Sequence, residues 1–478
     1  MKLVLATLAV ILSLVVLEQA RSGVEIEHRM VGETPVTRFE QSGADGPVVV
    51  IAHGFAGSSE MMQGYALPLA RAGYRVVVFD FLGHGRHSVP MSGDVTSPDG
   101  TTRLLVEQTE AVIDAVAEPG GRVALVGHSM ATDVLVRVAA GRGDVETVAL
   151  LSAFSQVIDA DTPRSLLLVV GAGEPGLRDF ALEAARVVDP QAEDGVTVSD
   201  GSVIRRAAVV PWTEHVSILQ ARAARGKVLE WLDMVYGRSS ATAILPTGPA
   251  IIGLLVGLVV LIGVVARRLP ERHMPAATLS TKQTALVLGL PILLAPVLAV
   301  MLDPGVMPVL VADYLALHLA IYGALQLALL RLWRVPFGPF APLAFLYLLA
   351  GAAVFGFALD RYVANFTPTS GRLWIIAVLA IGATLYFVAD ARLAHQSTIW
   401  RRLAFHTGFL LSLVGAVALD FEGLFFLLMI APVIVVFYLV FGTMGHAVST
   451  RAGPLAPGLA LGLVLAWSLG VSFPLFQG

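Results

Sequence analysis

The sequence predicts two units: an α/β domain on a mostly parallel, doubly wound sheet of about eight strands, then an all-α polytopic membrane domain. Three observations carry this reading. Between Val24 and Gly237, short β-rich apolar runs alternate with amphipathic helical stretches. Beyond a short linker, apolar runs of membrane-spanning length follow one another almost to the last residue. The chain of 478 residues is 56% hydrophobic and 14% charged, with a mean hydropathy of +0.76, too apolar for an ordinary soluble protein of this size.

Taken in order, residues 1–21 have the layout of a secretory signal peptide or a signal anchor, with Lys2 leading the apolar run Leu3 to Leu17. The junction Glu18-Gln19-Ala20 places a charge where cleavage sites carry small neutral residues, so both readings stand; either exports the next domain. Residues 22–237 form the α/β domain. Strands are predicted at Val24 to Met30, Pro35 to Phe39, Val48 to Ala52, Tyr74 to Phe79, Arg122 to Val126, Thr147 to Leu151, Ser165 to Val170 and Ile204 to Val210. Helices are predicted at Met61 to Ala72, Thr102 to Ala117, Ala131 to Gly141, Leu177 to Val188 and Val216 to Tyr236. Residues 238–249, with Ser239, Ser240, Pro246, Gly248 and Pro249, read as a linker. Residues 250–478 hold about eight spans, the first near Ala250 to Ala266 and the last near Leu455 to Phe473.

Loop charge predicts the orientation. Arg267, Arg268, Arg272, Lys282, Arg331, Arg334, Arg392, Arg401, Arg402 and Arg451 fall in alternate loops, while the intervening loops carry only Arg361 and Arg372 beside several carboxylates. The positive-inside bias makes the first set cytoplasmic and puts the α/β domain on the extracytoplasmic side of a multi-pass cell-membrane protein. A net charge of -4 gives no basic footprint for nucleic acid. Without any Cys, thiolate catalysis and cysteine-ligated metals are excluded. No His pair has convincing metal spacing with a carboxylate, and neither a metal nor another cofactor is expected.

The strongest local signal is Val126-Gly127-His128-Ser129-Met130-Ala131, between a predicted strand and a predicted helix. It has the form of a nucleophile elbow, in which a tight turn exposes the serine oxygen and small neighbours let strand and helix approach. Ala131 stands where glycine is usual. Upstream, Val48 to Ala52 runs into His53-Gly54-Phe55-Ala56-Gly57-Ser58, and Asp80-Phe81-Leu82-Gly83-His84-Gly85 follows the next strand. Downstream, Ser165 to Val170 ends in Gly171-Ala172-Gly173-Glu174, and Ile204 to Val210 leads to Pro211-Trp212-Thr213-Glu214-His215.

These motifs, in their order along the chain, resemble the α/β-hydrolase superfamily of serine hydrolases, over about residues 24–236. The resemblance implies Ser129 as nucleophile, a later acid, and His215 as general base. It also implies an oxyanion hole made by the Phe55 and Met130 amides. Glu174 is the preferred acid because it follows a strand end; Asp179 falls inside the next helix, and Asp159, Asp161, Asp189 and Asp194 follow no strand. The bland reading of Ser129, a helix-capping serine, leaves the His-Gly loop and His215 unexplained. His53, His84 and His128 are assigned to pocket lining or turn hydrogen bonding.

The expected function is hydrolysis of a carboxylic ester or related acyl bond in a small-molecule or lipid-like substrate at the membrane surface. One alternative is acyl transfer through the same residues. Another makes the hydrolase fold the ligand-binding module of a transporter or sensor. Asp313, His318, Gln326, Asp390 and His406 stand out in the spans, where polar groups are costly; helix packing or interfacial anchoring is preferred over an ion pathway.

Overall fold

A computed structural model describes residues 1–94, 98–303 and 305–477. After an apolar helix α1 (Lys2–Arg21) come β1 (Glu25–Val31), β2 (Thr34–Glu40), β3 (Val48–Ala52), α2 (Gln63–Arg71), β4 (Arg75–Phe79) and α3 (Arg103–Val116). Then follow β5 (Val123–His128), α4 (Met130–Gly141), β6 (Val145–Leu151), β7 (Ser165–Gly171), α5 (Pro175–Arg186), β8 (Thr197–Asp200), β9 (Val203–Val210) and α6 (Arg222–Val235).

The strands form one sheet in the order β1-β2-β4-β3-β5-β6-β7-β9-β8. Six neighbouring strands from β4 to β9 run parallel, and the antiparallel β1-β2 hairpin and β8 close the two edges. Val48-Val49-Val50-Ile51-Ala52 is buried throughout, as a β-branched strand covered on both faces must be. On one face Val49, Val126 and Val169 pack with Tyr65 of α2 and Trp231 of α6. On the other, Val50, Leu125 and Leu168 pack with Leu105 of α3, Leu135 of α4 and Ala185 of α5. Eight strands were predicted and lie where expected within a few residues; β8 is the ninth. It is four residues long and half exposed, too short for an alternating pattern to mark. The predicted last helix begins later, at Arg222, after a 3-10 turn at Ser217–Leu219.

The helical region contains α7 (Thr247–Val265), α8 (Thr281–Leu302), α9 (Ala312–Leu332), α10 (Pro342–Tyr362), α11 (Leu373–Ala394) and α12 (Ile399–Leu419). It ends with α13 (Phe421–Leu424), α14 (Leu427–Phe437), α15 (Thr443–Ala452) and α16 (Leu455–Ser472). With α14 and α15 joined through a π-helical turn, nine helices among the described residues, α1 included, are long and apolar enough to cross a membrane. By length and composition these helices suggest a multi-pass membrane protein. Close backbone approach draws them together. A Cβ on Gly462 of α16 would meet backbone atoms of Thr384 in α11, so only glycine lets these helices lie so near.

Helix α1 packs along α7, with Ser13 against Gly253 and Val10 against Gly257, while Glu18 pairs with Arg361 at 2.8 Å and hydrogen-bonds Tyr362. The segment predicted as a linker is pinned rather than loose. Ser240 donates to Asp233, Arg225 donates to Thr247 at 2.7 Å, and Ile244 and Leu245 pack on the sheet's core. Its last residues, from Thr247, already belong to α7. Each polar residue singled out in the spans has a partner, although Gln326 Oε1 is buried without one among the described residues. Asp313 accepts from the Met307 amide, His318 bonds Tyr314 and Ser412, Gln326 donates to the Val287 carbonyl, and Asp390 pairs with His406 at 3.3 Å.

The loops leaving the C-terminal ends of β3 and β4 rest on the helical region. Ser58 accepts from the Asn365 amide at 2.9 Å, Arg86 bridges Glu60 and Asp360, and the Gly83 carbonyl accepts from Arg372 at 2.8 Å and from Leu475 N–H at 2.9 Å. In a parallel sheet the C-terminal edge is where ligands bind. That edge faces the helices.

Candidate active site

Strand β5 ends at His128 and α4 starts at Met130, leaving Ser129 at the turn with φ 52° and ψ -118°. A non-glycine residue reaches that conformation only under strain, and the turn pushes its side chain out of the sheet edge. Ser129 N–H donates to the Leu151 carbonyl at 3.0 Å and its own carbonyl accepts from Thr132 N–H at 2.9 Å, which holds the turn from both sides. Gly127 lets α4 pack close to the strand, since a Cβ there would lie 2.6 Å from Leu135 Cδ1 and the leucine would have to move. The methyl of Ala131, in place of the usual glycine, is fully buried with the α4 side chains.

The sequence-predicted acid and base converge on this serine. His215 Nε2 lies 2.8 Å from Ser129 Oγ, and His215 Nδ1 lies 2.7 Å from Glu174 Oε1. Glu174 is placed by the turn after β7. Its other oxygen accepts from Ser152 Oγ at 2.7 Å and from Gly171 N–H at 3.0 Å. With the carboxylate so held, Nδ1–H donates to Glu174, leaving Nε2 to accept a hydrogen bond from Ser129 Oγ. The loop carrying His215 presses on this turn: a Cβ on Gly171 would lie 2.6 Å from the Thr213 carbonyl oxygen. Glu214 braces the loop by accepting from Val216 N–H at 3.0 Å and Ser217 N–H at 2.7 Å. Asp179, the rival acid, is exposed on α5 beside Arg178.

The three other histidines fix backbone. Burial pushes His128 down to about 4, so it is neutral near pH 7, and its Nε2–H donates to the His215 carbonyl at 2.8 Å. His53 donates through Nδ1 to the Gly54 carbonyl at 2.7 Å and accepts Phe81 N–H at Nε2 at 3.1 Å; burial lowers its pKa. His84, also held well below its ordinary value by burial, bonds the Leu82 carbonyl at 2.8 Å. Asp80 ties the two loops by accepting from Ser59 N–H at 2.6 Å and Arg86 N–H at 2.9 Å.

Gly54 brings the β3 loop onto the nucleophile: a Cβ there would sit 2.9 Å from both Ser129 Cβ and His128 Nδ1. Gly54 thus abuts Ser129 and Phe55 follows it in the chain, while Met130 is the first residue of α4, whose N–H has no carbonyl one turn back to bind. Two supporting groups were not legible beforehand. Ser152, at φ 51°, anchors Glu174, and Thr132 ties the Ser129 carbonyl to the Phe154 loop. A serine after a strand and a threonine in the first turn of a helix are each too common to signal such a role.

Residues 47–185 match the model of a family described as alpha/beta hydrolase fold. Similar solved structures include a bacterial membrane phospholipase A, 17% identical with a TM-score of 0.35, covering 49% of this chain and 93% of its own. A putative lipase from Acinetobacter baumannii is 15% identical with a TM-score of 0.34, covering 47% and 97%. An epoxide hydrolase from Vigna radiata is 16% identical with a TM-score of 0.31, covering 45% and 97%. The family match, the nine-stranded sheet and its connections give one conclusion: the chain carries an α/β-hydrolase-fold domain, followed by a helical region rich in apolar helices.

Proposed function

We propose that this protein is a membrane-bound serine hydrolase that cleaves a carboxylic ester or related acyl bond of an apolar or lipid-like substrate. The observation that carries the reading is the hydrogen-bonded chain from Ser129 Oγ through His215 to Glu174, at 2.8 and 2.7 Å. His215 takes the hydroxyl proton as Ser129 Oγ attacks the carbonyl carbon, and Glu174 stabilises the imidazolium that forms. The amides of Phe55 and Met130 receive the oxyanion. The protonated His215 then gives its proton to the leaving alkoxide. A water activated by the same histidine releases the acid and restores the serine. Because a hydroxyl rather than a carboxylate stands at the elbow, the intermediate is an acyl-serine.

The domain rests on the end of the helical region opposite its arginine-rich loops, which supports an extracytoplasmic site at the membrane surface. A fluorophosphonate probe tests the chemistry: it should label the full-length protein, and labelling should vanish in Ser129→Ala. A wild-type protein that stays unlabelled while folded would favour a binding module. Equal labelling of both proteins would remove Ser129 from the mechanism.

A further inference from the structure

The side of the site nearest the oxyanion loop is closed by the helical region. The Phe55 ring lies 5.6 Å from His84 and 5.5 Å from Phe426, the residue that precedes α14. From Phe426 the rings continue to Phe425 at 6.2 Å and on to Phe421 at 5.6 Å. Phe425 is 45% exposed and Phe421 60%. The row thus starts on open apolar surface at the end of α12 and finishes on the residue whose amide is the candidate oxyanion donor. Leu419, beside it on α12, is also exposed, as are Met301 and Leu302 where α8 ends. Met301, Leu302 and Leu419 end helices of spanning length, where such surface meets lipid rather than water, and the phenylalanine row lies in the short connection between α12 and α14. The rings are all phenylalanine. Trp and Tyr would hold at headgroup level through a polar handle, whereas a phenyl ring offers apolar contact alone.

The far side of the mouth is apolar as well. Trp212, fully exposed, and Val216 flank His215, and Phe154 stands exposed after β6. An apolar chain approaching from the helical side meets the Phe421, Phe425 and Phe426 rings and then Phe55.

We propose that the segment from Phe421 to Phe426 is the acyl-side wall of the active site, and that the acyl chain of a membrane-resident ester enters along it, laterally from the bilayer. This rests on the serine-hydrolase reading and adds what the helical region contributes to it: a specificity surface, not only an anchor. The occupant is a single acyl chain, because the row is one ring wide and carries no charged group to hold a headgroup. Asp420 and Glu422 flank Phe421 at its outer end, with Asp303 at the end of α8 near Asp420, and Asp420 is taken up in capping α13 through Gly423 N–H at 2.9 Å.

The test compares kcat and KM for a short soluble acetate ester and a laurate ester of the same alcohol, with full-length protein in lipid nanodiscs. Phe426→Ala should lower kcat/KM about tenfold to a hundredfold more for the laurate ester than for the acetate ester, with the difference chiefly in KM. Phe425→Ala, whose ring does not touch Phe55, should shift the chain-length preference in the same direction, and Phe426→Leu should restore much of it. Equal kcat losses on both esters in Phe426→Ala would make Phe426 a support for the oxyanion loop and overturn the proposal. So would an unchanged chain-length profile in both alanine variants. Wild-type protein with no Ser129-dependent turnover of either ester would overturn the hydrolase reading itself, a result distinct from the other two.

Discussion

Replacing Glu174 by glutamine keeps the volume of the site and changes its proton logic. One carboxylate oxygen is committed to two donors, Ser152 Oγ at 2.7 Å and Gly171 N–H at 3.0 Å. A glutamine that turned its NH2 to that side would oppose the Gly171 N–H, which cannot accept. The amide oxygen therefore stays there, and the NH2 faces His215 Nδ1, which the carboxylate had bonded at 2.7 Å. Nδ1 can then only accept, so the ring proton moves to Nε2, the nitrogen 2.8 Å from Ser129 Oγ. An Nε2 that already carries a proton cannot take another from the serine. Loss of the correct tautomer in a Ser-His-acid unit costs roughly 10³- to 10⁴-fold in kcat, which is about 4 to 5.5 kcal/mol of transition-state stabilisation. The assay is turnover of a short soluble ester by the full-length protein in detergent, beside Ser129→Ala as the floor and a melting curve as a check on folding. A Glu174→Gln protein that is folded and within about tenfold of wild type would refute the reasoning and reopen the choice of acid.

Gly54→Ala should cut ester turnover about a hundredfold with the fold intact, because the new methyl at 2.9 Å from Ser129 Cβ must push the Phe55 amide away from the oxyanion; unchanged kcat would clear this loop of that role. His128 is held down to about 4 by burial, so the unfolded chain, titrating near 6.5, takes up the proton first. The stability linked to it is whole above about pH 6.5 and is lost as the pH falls towards about 4, up to roughly 3 kcal/mol. His128→Gln should therefore flatten the fall in melting temperature between about pH 7 and about pH 4.5, and an identical slope in both proteins would refute the assignment. Single cysteines at the exposed Ser239 and Ser370 should react with an impermeant thiol reagent on intact cells while one at the exposed Thr278 is spared; the reverse pattern inverts the topology. Helix α1 should be retained as an anchor, since cleavage would strip Glu18 from Arg361 and Ser13 from Gly253; mass spectrometry that finds a mature N-terminus beyond Ala20 would show a cleaved signal instead.

Much of the architecture was legible because it follows from local chemistry. Runs such as Val48 to Ala52 form buried parallel strands whatever lies beside them, and helices like α7 or α16 declare themselves by length and apolarity. The order of the elbow around Ser129, the turn at Glu174 and the loop at His215 was legible for the same reason: each sits where a strand ends. What the sequence could not contain was distance. Glu174 and His215 are 41 residues apart, and only the pairing of β7 with β9 sets their side chains at 2.7 Å. Ser152 acquires its role from that fold alone. The pairing of Asp390 with His406 likewise depends on α11 lying against α12, which no helical periodicity reveals. The same limit applies to Phe426. In sequence it is one apolar residue among many before a span, and its place against Phe55 arises because the C-terminal edge of the sheet docks on the helices through Gly83, Arg86 and Ser58. Periodicity records which face of an element is apolar; which faces meet is decided by the packing of the whole chain.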